Sequence, residues 1–170
     1  CMDGYMVWRW TDYNQVPLYA SIYSGRVQFT GRLYNHQAPG DRESFFIKAA
    51  EQLVYSEQLG WFTMPDMHDA GKRLFIKKLM HIRYALLDYF NGGKMLKPLD
   101  FKNPLPEITA KWGATGAARM ITTPKVRHSV WRGANGLKMV LLVNSVDEPQ
   151  AFAPELKIDA GTVVGICREG

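Results

Sequence analysis

Cysteine is almost missing from this chain. Cys1 and Cys167 are its only two among 170 residues, and they lie at opposite ends, so no disulfide framework or metal-ligand cluster is read from their spacing. No run approaches the roughly 18 consecutive apolar residues of a membrane helix, and no charged-then-apolar leader opens the sequence. No membrane span is expected. The chain starts at Cys1 without an initiator methionine, and truncation is a better expectation than a lipid-modified cysteine, because dense apolar sequence follows with no linker. Internal repeats and low-complexity tracts are absent.

Motifs that carry chemistry are scarce as well. There is no phosphate-cradling glycine loop, since Gly113 and Gly116 precede strand-like sequence and not a helix, and there is no serine nucleophile elbow. His36, His68, His81 and His128 show no metal-ligand spacing, so neither a metal nor a cofactor is expected. Glycoside cleavage generally needs two carboxylates roughly 5 to 10 Å apart, and no pair stands out. Glu51 and Glu57 share a predicted helix but not adjoining turns of one face, on what reads as a helix exterior. Asp66 and Asp69 are better placed, at a strand-to-helix loop, where helix capping explains either one.

What is present is enough for a core: 46% hydrophobic residues and 12% aromatic ones, which excludes a disordered chain. The formal charge is +5 and the pI about 9.2. The 21 basic residues are scattered, and the nearest approach to a cluster, Lys72-Arg73 with Lys77-Lys78, lies on a helix with a strong apolar side. A solvated helix face is expected there and no nucleic-acid site, because such sites concentrate charge on one surface.

The stretch Asp69 to Phe90 organises the rest. Leu74, Phe75, Leu79, Ile82, Leu86 and Tyr89 recur three or four residues apart, which predicts one helix with a single buried stripe, capped by Asp66 or Asp69 and ended by Asn91-Gly92-Gly93. Met2 to Tyr13 is aromatic-rich without a clean period, and Arg9 and Asp12 read as an ion pair. Val16 to Tyr23 predicts a strand covered on both faces, followed by a long loop from Gly25 to Gly40. Asp41 is expected to cap a helix reaching about Gln58, with Phe45, Phe46, Ala49, Ala50, Leu53 and Val54 buried. Leu59 to Met64 predicts a second strand. This order is the repeat unit of a parallel α/β sheet or barrel.

Beyond Gly93 the texture changes to short β-type runs separated by Pro, Gly and Asn: 95–101, 108–112, 119–123, 126–132, 138–145, 150–156 and 162–167. They predict a small antiparallel sandwich, with a hairpin turning at Asn135-Gly136. In parallel α/β architectures, ligands gather where strands end. Tyr23, Arg26, Arg32 and His36 are then candidates for a polar ligand site, and Trp61 for an aromatic face against a sugar, although a buried core role suits Trp61 as well.

The segments VPLYASIYSG, FIKAAEQLVYSEQLGWF and HSVWRGANGLKMVLLVNSVDEPQAFAPELK, with the long helix between them, resemble a bacterial family of glycosidase-like proteins in which a (β/α)8 TIM barrel precedes a C-terminal β-sandwich. The resemblance implies an α/β plus all-β fold. Residues 1–93 would be the last strands and helices of a partial barrel, with the N-terminal barrel strands missing, and residues 94–170 an antiparallel β-sandwich. It implies a carbohydrate partner, a sugar-cleft wall of Tyr23, Arg32, Trp61 and Asp66, and catalytic carboxylates on earlier strands, so that this segment alone is inactive. Periplasmic or secreted residence follows from the family context alone. The alternative is a free-standing carbohydrate- or protein-binding module.

Overall fold

The computed structural model describes residues 17–29, 42–60, 62, 64–112, 119–156 and 165. Among these, five helices come first: α1 (Leu18–Tyr23), α2 (Arg42–Val54), α3 (Met64–His68), α4 (Ala70–Ala85) and α5 (Leu87–Gly92). Seven strands follow: β1 (Lys94–Leu96), β2 (Asp100–Phe101), β3 (Glu107–Trp112), β4 (Arg119–Pro124), β5 (Val126–Arg132), β6 (Lys138–Asn144) and β7 (Pro154–Glu155). They form a three-stranded sheet, β1–β5–β6, and two two-stranded ladders, β2–β7 and β3–β4, with every pairing antiparallel. The architecture is mixed α and β with small antiparallel sheets, and the described residues contain no closed barrel.

Helix α2 is the element around which the others pack. From Ser44 to Val54 every residue is buried, because α4 lies on one side and β3, β5 and β6 on others. The six apolar residues expected to be inside are inside. Ala49 and Ala50 present little side chain, so backbones approach closely, while Phe45, Phe46, Leu53 and Val54 join Trp131, Leu141, Val143 and Phe90 in one cluster. Each large side chain of this kind contributes about 1.5–3 kcal/mol by leaving water. The cluster draws on residues before and after Gly93 alike, from Ala20 to Val143.

The helix ends earlier than expected, at Val54, and the cause is local. Ser56 takes a positive φ of 61°, while its N–H donates to Leu53 O (3.0 Å) and the Glu57 N–H to Gln52 O (2.8 Å). That is the Schellman closure, here with serine where glycine usually stands. Asp41, expected to cap the other end, lies outside the described residues.

Three further expectations are corrected. The predicted strand over Val16–Tyr23 is helical from Leu18; none of the described strands pairs with it, and a helix satisfies its backbone groups internally. Leu59–Met64 is not a strand in its described residues, and Met64 opens α3. The single helix over Asp69–Phe90 is broken at Leu86 into α4 and α5, and Leu74 faces solvent.

The hairpin joining β5 to β6 is where the sequence placed it. Gly136 N–H donates to Gly133 O and Gly133 N–H to Leu137 O, each at 2.9 Å. The corners are Ala134 and Asn135, with Gly136 supplying the positive φ of 81°, a three-residue loop of the bulged kind. Asn135 Oδ1 also accepts from Leu137 N–H at 3.0 Å. Of the predicted sandwich strand 162–167, only Gly165 is described, and it is not in a strand.

Candidate functional site

Of the four residues singled out for a sugar-binding wall, Tyr23 and Asp66 are among the described residues. Arg32 and Trp61 lie outside them, as does His36. Tyr23 ends α1 with 41% of its surface exposed and stacks on Tyr19, ring centroids 6.2 Å apart and planes 20° from parallel. Helix α1 is held in place by the α5–β1 junction: Ser24 Oγ accepts from Met95 N–H at 3.0 Å. A Cβ on Gly25, whose φ is +74°, would stand 2.6 Å from Gly93 O, so only glycine permits this approach.

Asp66 has a different setting. It is 3% exposed, and its Oδ1 pairs with Lys72 Nζ at 3.2 Å. That ammonium in turn stands 4.8 Å over the ring of Phe45. The pair joins α3 to α4 beneath the surface, where no ligand in solvent reaches the carboxylate. Lys72, expected on the solvated side of its helix, is turned inward by this partner.

Asp69 is the helix cap. Its Oδ1 accepts from Lys72 N–H at 3.0 Å, and its Oδ2 lies 3.6 Å from Arg42 Nε. The Lys72 backbone hydrogen bond, with further help from Gly71 N–H, Arg42 and Lys72, holds its carboxyl below the usual value against a smaller opposing effect of burial. A carboxylate at a helix start is stabilised in this way by the free N–H groups and the dipole.

A buried polar centre was not read in the sequence. Glu51, assigned to a helix exterior, is 1% exposed and lies 3.2 Å from Arg127 Nη2. Arg127 Nη2 also donates to Thr123 Oγ1. One ion pair therefore ties α2 to β5 and β4 in the middle of the molecule. Its only legible signal was the alternation of β5, in which Arg127, Ser129 and Trp131 share one face. Trp131 is fully buried there, its Nε1–H donating to Ser129 Oγ (2.9 Å) and Val54 O (3.3 Å), with Phe90 edge-on at 5.2 Å. Sealed from solvent, this centre fastens helix to sheet; it has no access to a substrate.

On the opposite face of β5, His128 meets Phe101 of β2 edge-on, centroids 4.8 Å apart. Burial first, and the Arg127 charge second, lower its pKa below the ordinary 6.5. Among the described residues no group of three or more His, Cys, Asp or Glu side chains is arranged to hold a metal ion, and no helix is long and apolar enough to cross a membrane.

No family model matches the chain, and no solved structure matches it. It is similar to a protein of Monosiga brevicollis named "Putative glycoside hydrolase 22789", with 23% identity over 153 residues. The match covers 77% of this chain and 13% of that protein. The chain thus spans a small part of the length of the curated relative it matches, and its resemblance is to a glycoside-hydrolase-like protein.

Proposed function

We propose that this chain is part of a glycoside-hydrolase-like protein acting on a poly- or oligosaccharide. Residues 1–93 contribute the trailing elements of a (β/α)8 barrel and residues 94–170 an antiparallel β-sandwich that braces them. The observation that carries the reading is the similarity over 77% of the chain to a small portion of a much longer protein named as a glycoside hydrolase. The outer side of α1 supports it: Leu18, Tyr19, Ile22 and Tyr23 stand exposed together, a surface that adjoining barrel elements would cover.

In this reading Tyr23, Arg32 and Trp61 form one wall of a sugar cleft. Asp66 stands behind the wall as the counter-ion of Lys72. The catalytic carboxylates belong to other parts of the protein, and the two most buried acids described here, Glu51 and Asp66, are committed to ion pairs. The chain alone is then inactive on aryl glycosides, and measurable turnover would overturn that. For the sugar wall, oligosaccharides titrated onto labelled protein should shift the resonances of Tyr23 and Trp61, and Trp61→Ala should abolish the shifts; silence at both rings across a panel of glycans would refute it.

The larger apolar cluster, which runs from Ala20 to Val143, favours a second reading, a free-standing carbohydrate- or protein-binding module. The coding sequence upstream separates the two. Repeated strand-and-helix units there support the barrel, and a start codon just before Cys1 supports the module.

A further inference from the structure

The ladder β2–β7 meets the outer face of the β1–β5–β6 sheet through Phe101 and His128, and among the described residues little holds it. It has two residue pairs, Asp100↔Glu155 and Phe101↔Pro154, extended by one hydrogen bond from Lys102 N–H to Ala153 O at 3.1 Å. One of those pairs sets two carboxylates directly opposite each other, which weakens a ladder. The apolar contacts centre on Phe101, whose ring lies edge-on to His128 at 4.8 Å and to Phe152 at 6.2 Å. Beside this contact, Val140 and Leu142 of β6 remain 38% and 37% exposed.

His128 is an unusual anchor for an aromatic contact. Its Nδ1 is buried and has no hydrogen-bond partner. A neutral imidazole tolerates this as a bare acceptor, but a proton there would create a buried cationic donor with nothing to receive it. Among the described residues, the charged groups around it offer no remedy. On its own strand, Arg127 is a cation engaged by Glu51 across α2. On the β2 side, Asp100 is held by Lys97 Nζ at 2.8 Å, and Lys102 follows Phe101. On β7, Glu155 faces Asp100; on β6, the residue paired with His128 is the apolar Leu142.

We propose that His128 is an acid-sensitive latch: its protonation releases the β2–β7 ladder from the sheet and uncovers the apolar outer face of β5 and β6. The direction agrees with the depressed pKa that burial and Arg127 impose. The folded, latched state prefers the neutral ring, so latching is complete above the ordinary value of 6.5 and is lost as pH falls below it. The inference is independent of the sugar-cleft reading, since it involves none of its residues.

The test is amide hydrogen exchange on the whole chain between neutral and mildly acidic pH, corrected for intrinsic rates, with the His128 ring followed by NMR. As His128 titrates, with a midpoint below 6.5, the Lys102 amide should lose protection several-fold while Val130 and Val140 keep theirs. His128→Phe keeps the aromatic contact and should abolish the pH dependence. This variant also separates His128 from Asp100 and Glu155, whose titration it leaves intact. Phe101→Ala, which opens the ladder from the other side, should return the His128 midpoint toward the ordinary value. Lys102 protection independent of pH, an unchanged pH dependence in His128→Phe, or a His128 midpoint unmoved by Phe101→Ala would each overturn the latch.

Discussion

The two faces of the β1–β5–β6 sheet have opposite fates. The inner face carries Arg127, Ser129 and Trp131 of β5 with Leu141 and Val143 of β6, all buried under a helix that is itself enclosed. The outer face carries His128 and Val130 with the half-exposed Val140 and Leu142, under a ladder of two residue pairs. Both faces come from the same alternation along the same strands. The difference teaches that patterning decides which residues share a face, and that the covering element decides what a face is worth.

The largest effects should come from the inner face. Trp131→Ala removes the ring that meets Phe90 and Val54, and should lower unfolding stability by about 3–5 kcal/mol in a denaturant titration. Leu142→Ala on the outer face should cost under about 1.5 kcal/mol, since part of that side chain is already in water. Equal losses would erase the contrast between the faces.

Breaking the inner ion pair comes next. Arg127→Met leaves Glu51 charged and buried, and should cost about 3–5 kcal/mol. Glu51→Leu combined with Arg127→Met should recover most of that loss. If the double variant is no better than the single, the pair's net contribution to stability is larger than desolvation arguments allow.

A smaller effect separates the faces by pH. Because the folded state lowers the His128 pKa, the wild type should lose stability as pH falls below 6.5, and His128→Phe should flatten that part of the curve. Asp69 acts in a lower window. Its carboxyl is also depressed, so its contribution is present above its ordinary 3.8 and is lost as pH falls through the folded value, and Asp69→Asn should leave the region near pH 6 unchanged. The smallest expected change is a gain: Ser56→Gly relieves a positive φ at the end of α2 and should raise stability by about 0.5–1 kcal/mol.

Much of the second half was legible because its signals are local. The β-type runs at 126–132 and 138–145 and the Asn135-Gly136 dipeptide specify β5, β6 and their turn without help from distant residues. The buried side of α2 was legible from its period for the same reason. Glu51 was misjudged, because period alone does not reveal that a helix will be covered on its polar side as well; that depends on Arg127, seventy-six positions later. Val16–Tyr23 was misjudged in the opposite way, since a strand's stability resides in its neighbours. The sequence offered Asp66 and Asp69 alike as caps, and of the candidate site it did not distinguish the exposed Tyr23 from the buried Asp66.

By itself, then, the amino-acid order determined where helices give way to strands, which residues share each face and where the β5–β6 hairpin turns, because propensity and periodicity act over a few residues. Tertiary structure alone decided that α2 is enclosed, that Asp66 and Glu51 are spent on Lys72 and Arg127, and that His128 lies under a thin cover. Burial and charge pairing depend on what lies within a few ångströms in space, and that is set by packing across the whole chain.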